Sequence, residues 1–250
     1  MTTEKIGGYP LSDLIGGGDP EVIAREILAV LIKYARLSPD EVVLDVGCGC
    51  GRIATGLTQY MSPTSRYVGV DIVPGFIDFG RKFISARYPN FHFSLLDQAN
   101  QSYDWWRQIG DKSGVRSLAE LLGSEQADLA FAISLFTHLD FDDALKVLLD
   151  IHPLVKDSGR VFVTIFLLDD CAAEAVQNHR SEFSFKYKTK SEKLFAEKAE
   201  EETYAVAYTE EVLAKLLDRA GFALEKVIRG YWSTSEPGET YQDGILLRKA

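Results

Sequence analysis

The stretch Val42-Val43-Leu44-Asp45-Val46-Gly47-Cys48-Gly49-Cys50-Gly51-Arg52 decides how the rest of the chain is read. It starts as a run of β-branched and aliphatic residues, the pattern of a strand buried on both faces, and breaks into three glycines at alternate positions. A buried strand therefore feeds a glycine turn. Gly47, Gly49 and Gly51 lack the Cβ atoms that keep a ligand off the backbone, and they accept backbone angles that other residues avoid. Arg52 to Leu57 continues as the first turns of a helix whose leading N–H groups face the same space. The turn is suited to something lying against bare backbone.

Outward from the turn, strands and helices alternate. Asp19-Pro20-Glu21 carries an N-cap, a proline and an acid, and Ile23, Ile27, Val30, Leu31 and Tyr34 share one face of the helix that follows. After the strand from about Glu41 to Val46 and the helix over 52–61, Arg66 to Asp71 reads as a second strand ending in an acid. A helix after Pro74 and a short strand Phe91–Leu95, followed by Asp97, complete a βαβαβ rhythm that predicts a parallel α/β sheet. Ala127–Ile133 and Arg160–Leu168 extend the sheet, with a helix between them that puts Ala144, Val147, Leu148, Ile151 and Val155 on one face. Tyr208-Thr209-Glu210-Glu211 caps a helix stopped by Gly221. Phe222–Ile228 and Tyr241–Arg248 are joined too closely for a parallel crossover, so the last strand is expected to be antiparallel. The expectation is one Rossmann-like domain over 1–250, with a seven-stranded, mostly parallel sheet and helices on both faces. A glycine-rich lead-in (1–18) and insertions at about 98–126 and 169–203 form a substrate cover.

The 250 residues, 46% hydrophobic and 26% charged, suffice for a full core, and the net charge of −10 argues against a nucleic-acid or anionic-membrane partner. The N-terminus lacks the layout of a signal peptide and no apolar run is long enough to span a bilayer, so a cytoplasmic protein is expected. Three cysteines have neither disulfide-framework nor metal-ligand spacing, and no metal is expected. Cys48 and Cys50 read as small residues tolerated by a tight turn.

The glycine turn after strand one, the acids after strands two and three and the antiparallel final hairpin together resemble the class I S-adenosylmethionine-dependent methyltransferases over roughly residues 20 to 248. The run Ser134-Leu135-Phe136-Thr137-His138-Leu139, and the pair Gly230-Tyr231-Trp232 and Tyr241-Gln242-Asp243, resemble a bacterial small-molecule subgroup. The resemblance implies S-adenosylmethionine as cofactor. It places Asp45, Gly47, Gly49 and Gly51 at the methionine and ribose portion, Asp71 on the ribose hydroxyls, Asp97 at the adenine amino group, and Ile72 and Ser134 among further cofactor contacts. His138 is the candidate catalytic base, because a neutral imidazole is available near pH 7.

The expected reaction is methyl transfer to an oxygen or nitrogen of a small-molecule acceptor, with no nucleic-acid or membrane partner. Two other readings stay open: a module that binds S-adenosylmethionine without turnover, and a nicotinamide oxidoreductase. Against the second, a dinucleotide fingerprint wants G-x-G-x-x-G, and here the third glycine comes one residue early, with Ile53 where it would fall. Asp71 and Asp97 at strand ends could also cap turns, Asp45 could organise its loop, and Arg52 could pair with a ligand carboxylate or be solvated. Trp105, Trp106, Phe183, Tyr208 and Trp232 fit either a core or the wall of a substrate pocket.

Overall fold

The computed structural model describes residues 5–6, 9–10, 19–96, 114–115, 117–190, 194–233 and 238–250. Two compact units, Met1–Phe131 and Ala132–Ala250, are taken in turn. Asp97, Trp105, Trp106 and most of the glycine-rich lead-in lie outside the described residues, apart from a two-residue hairpin of β1 (Lys5–Ile6) and β2 (Tyr9–Pro10).

In the first unit, β3 (Val42–Val46) lies between two parallel neighbours, β4 (Arg66–Asp71) and β6 (Ala127–Ala132), and β5 (Phe91–Leu95) pairs parallel with β4. The apolar run that marks β3 in the sequence is buried from Val43 to Val46, as a strand with neighbours on both sides requires. Helix α1 (Pro20–Lys33) begins where Asp19 accepts hydrogen bonds from the Glu21 and Val22 N–H groups, and it buries Ala24, Ile27, Val30 and Leu31. The predicted helix over 52–61 is shorter, with α2 spanning Arg52–Leu57 before the chain turns. Helix α3 (Pro74–Gly80) passes into a wider π turn at Arg81–Ser85, and α4 (Ala119–Leu122) is a single turn.

The second unit is organised by β7 (Val155–Leu168), which starts five residues before the expected Arg160. Pro153 ends helix α5 (Phe141–Ile151) through a short 3-10 turn, so Val155 belongs to the strand instead of the helix face. Asp157-Ser158-Gly159 is part of the strand, not a turn. Along Val161–Ile165, β7 pairs antiparallel with β12 (Asp243–Lys249), which in turn pairs antiparallel with β11 (Phe222–Ile228). The expected antiparallel final strand is therefore present.

Among the described residues, three short strands take the main sheet beyond the predicted seven. β10 (Val206–Thr209) runs parallel to β7 at Phe166–Leu168, and β9 (Phe195–Ala196) and β8 (Tyr187–Lys188) follow it antiparallel. Four-residue and two-residue strands carry too little alternation to show as a pattern. Helix α6 (Asp170–Gln177) is capped by Asp169, and α7 (Glu210–Ala220) by Thr209, whose hydroxyl takes the Val212 N–H; Gly221 ends α7 in the left-handed conformation.

Candidate functional site

In the first unit the glycine turn sits at the C-terminal end of β3. The Gly47 and Cys48 N–H groups both donate to the Val70 carbonyl at 2.8 and 2.9 Å, and the Gly51 N–H closes back on Cys48 at 3.1 Å. All three glycines have positive φ, at 77°, 55° and 89°, which an L side chain adopts only with strain. Their roles then diverge. A Cβ on Gly49 would meet nothing within 4 Å among the described residues, so this peptide borders open space there. A Cβ on Gly51 would lie 2.5 Å from Ile84 Cδ1 and 2.9 Å from Phe93, so Gly51 lets the turn pack on the core; the room its missing Cβ leaves is filled by protein.

Asp71 ends β4 beside that turn. One of its carboxylate oxygens accepts from the Gly49 N–H and the other from the Val73 N–H, both at 2.9 Å. Burial raises its pKa, while the Val73, Gly49 and Ile72 N–H groups pull it back. These bonds leave the carboxylate with acceptor capacity to offer a ligand hydroxyl.

Asp45 lies under the turn, 1% exposed, where it accepts a hydrogen bond from the Tyr67 hydroxyl at 2.7 Å. Burial moves its pKa from 3.8 to about 7; the Tyr67 bond and Arg52 oppose the shift and Asp71 adds to it. Arg52 is half-buried, and burial lowers its pKa. Burial also pushes the Cys48 thiol well up and Cys50 up to about 11, which keeps both protonated and non-nucleophilic at neutral pH.

In the second unit the segment after β6 turns through Ser134, a non-glycine with φ of 56°. Its N–H donates to Thr164 Oγ1 at 2.7 Å and its hydroxyl to Gln242 Oε1 at 3.1 Å, while Thr164 Oγ1 donates to the same Oε1 at 2.6 Å. A 3-10 turn, Phe136–His138, follows. The Tyr208 hydroxyl lies 3.0 Å from the Phe136 carbonyl and 3.1 Å from that of Leu139, buried beneath the turn. Tyr208 is thus a staple of the backbone, not a pocket wall.

His138 is partly exposed, and its Nδ1 lies 3.1 Å from the Thr203 carbonyl. A carbonyl can only accept, so Nδ1 carries the proton and the neutral ring keeps its lone pair at Nε2. Next to it, Thr137 is buried, and its Oγ1 has no hydrogen-bond partner among the described residues.

Sequence reasoning missed Asp243 as an organising group. Its carboxylate, 1% exposed, accepts from the Leu167 and Gly230 N–H groups at 2.9 and 3.0 Å and from the Trp232 indole at 2.6 Å, with Arg229 3.8 Å away. Trp232 accordingly packs in a core with Phe166, Phe185, Ala172, Ala205 and Ala207, and partly buried Phe183 and Tyr241 edge that cluster. An acid in the motif Tyr-Gln-Asp was the available signal. Among the described residues no group of three or more His, Cys, Asp or Glu is placed to hold a metal ion, and no helix is long and apolar enough to cross a membrane.

Residues 44–161 match the family described as Methyltransferase domain, on the part of the chain that carries the glycine turn, Asp71 and His138. Residues 44–161 are thus a methyltransferase domain, similar to those of the S-adenosylmethionine-dependent enzymes. The fold of this chain resembles that of the magnesium protoporphyrin IX methyltransferase from Synechocystis, solved with bound SAH: TM-score 0.56, 15% identity, 95% of this chain and 92% of that one covered. Malonyl-[acyl-carrier protein] O-methyltransferase of Acetivibrio thermocellus is 31% identical over 114 residues, 40% of this chain and 38% of that protein. An uncharacterised RNA methyltransferase of Staphylococcus aureus is 35% identical over 85 residues, 34% of this chain and 18% of that protein. The chain thus matches well under half the length of these curated relatives. The cofactor of its family is S-adenosylmethionine.

Proposed function

We propose that this chain transfers the methyl group of S-adenosylmethionine to an oxygen or nitrogen of a small molecule. The carrying observation is the pairing of Gly49, whose peptide borders open space, with Asp71, whose carboxylate fixes that peptide and keeps lone pairs to offer. These residues fit a ligand with vicinal hydroxyls lying on bare backbone. Gly47, Gly49, Asp71, Ile72 and Ser134 would hold the cofactor, with Asp97 at its adenine; Asp45 and Gly51 support the turn from beneath. The bound cofactor supplies a methyl made electrophilic by its sulfonium.

The protein's task is then alignment, exclusion of water and management of one proton. His138 takes that proton at Nε2 while Nδ1–H stays on the Thr203 carbonyl, the same division of labour between ring nitrogens that general bases use elsewhere. The acidic balance of the chain, −10, supports a small acceptor over RNA despite the name of the staphylococcal relative, and the Acetivibrio relative's O-methyl chemistry supports oxygen as the receiving atom.

Calorimetry tests the cofactor. S-adenosylmethionine and SAH bind the wild type, and Asp71→Ala weakens both by roughly tenfold to a hundredfold, the range for losing hydrogen bonds to a charged group. NAD binding without response to either ligand overturns the reading. His138→Gln separates an enzyme from a binding module: SAH affinity within about twofold with turnover lost supports the base.

A further inference from the structure

We propose that Thr164 and Gln242 are positioning residues for His138, acting by holding Ser134 in the left-handed conformation from which the 136–138 turn departs. The inference rests on reading His138 as the base. A serine at φ 56° is unfavourable without support, because its Cβ crowds the following carbonyl. Here the support is complete and directional. The Ser134 N–H donates to Thr164 Oγ1, the Thr164 proton goes to Gln242 Oε1, and the Ser134 hydroxyl donates to that same oxygen. With Oε1 of Gln242 facing the network, one amide oxygen takes both hydroxyl donors.

The three residues come from distant places. Ser134 follows β6, Thr164 sits 1% exposed within β7, and Gln242 immediately precedes β12, where Asp243 anchors the backbone to Leu167 and Gly230. Ser134 pins the entry to the Phe136–His138 turn, and Tyr208 pins its carbonyls from below. With both ends held, the His138 ring meets the Thr203 carbonyl through Nδ1. Releasing the entry lets the ring leave that carbonyl and take the other neutral tautomer.

The test uses the full chain labelled with 15N-histidine, reading the two imidazole nitrogens of His138 at pH 8, its signals assigned by their loss in His138→Gln. Wild type shows the Nδ1–H form. Gln242→Glu retains an acceptor oxygen and keeps that spectrum. Gln242→Leu removes it and raises the Nε2–H population roughly tenfold, the scale of the left-handed preference being released. Adding Ser134→Gly to Gln242→Leu restores the Nδ1–H form, because glycine adopts that φ unaided. A folded Gln242→Leu protein with an unchanged His138 spectrum overturns the proposal, as does a change that Ser134→Gly does not reverse. Should Gln242→Leu not fold, Thr164→Val against Thr164→Ser makes the same comparison with the hydroxyl alone. SAH titration of the wild type, run in parallel, keeps the two ideas apart: no binding refutes the methyltransferase reading, whereas the tautomer comparison judges the positioning role by itself.

Discussion

Asp45→Asn should make this protein more stable at alkaline pH and leave it nearly unchanged in acid. Burial lifts the Asp45 carboxyl from 3.8 to about 7, with only the Tyr67 hydroxyl and Arg52 offsetting the loss of water. Between about pH 4 and pH 7 the unfolded chain has released this proton and the folded chain still holds it. The folded state binds more protons there, so its stability falls as pH rises, and the fall ends above the folded pKa. At about 1.4 kcal/mol per pH unit, the separation between the two values sets a ceiling of about 4 kcal/mol. Asparagine has the same shape, keeps an oxygen for Tyr67 and does not titrate. The difference in unfolding free energy between variant and wild type should therefore be near zero at pH 3.5, about 1 kcal/mol at pH 4.5, and reach about 2 to 4 kcal/mol by pH 8. Urea denaturation of the ligand-free proteins at several pH values measures it, and taking the difference cancels the other titrating groups. A difference that is flat across pH, or an Asn variant less stable at pH 8, would refute the reasoning by showing that Asp45 is held ionised.

The two glycines of the turn should respond differently to alanine. Gly49→Ala meets only the backbone penalty and should lower stability by about 1 to 2 kcal/mol while sharply weakening SAH binding. Gly51→Ala adds a collision with Ile84 and Phe93, and should cost about 3 kcal/mol or more; equal unfolding midpoints for the two would contradict the packing described. Asp243→Ala strands the Leu167 and Gly230 N–H groups and the Trp232 indole, so a loss of about 3 to 5 kcal/mol is expected, with a red shift of tryptophan emission under native conditions. An unchanged emission spectrum would count against the carboxylate as the anchor of that indole.

What was legible in the sequence was what neighbouring residues decide. Three glycines after an apolar run mark the turn, an acid ending the next strand marks Asp71, and Asp19, Thr209 and Gly221 mark helix ends within a few residues of themselves. The second unit was harder for a physical reason. Ser134 and Gln242 are 108 residues apart and Thr164 and Gln242 are 78 apart, so no local pattern announces that they share one hydrogen-bond network. The left-handed Ser134 is invisible for the same cause: nothing near it in sequence favours that angle, and the tertiary partners that do are remote. Gly51 was legible as a glycine but not in its purpose, since the atoms that exclude a Cβ come from Ile84 and Phe93. The extra strand β10 hid because its four residues also read as the lead-in to a capped helix.

The partner of His138 is a main-chain oxygen. A carboxylate in that place would bring a negative charge, stabilise the imidazolium and tie the orientation of the ring to one replaceable side chain. The Thr203 carbonyl directs the proton to Nδ1 without a full charge, and every amino acid at position 203 carries the same carbonyl. The side chain at position 203 can therefore be exchanged while the polarity of the imidazole is left alone. Under the proposed function, acceptor choice and proton handling are separately adjustable in this arrangement.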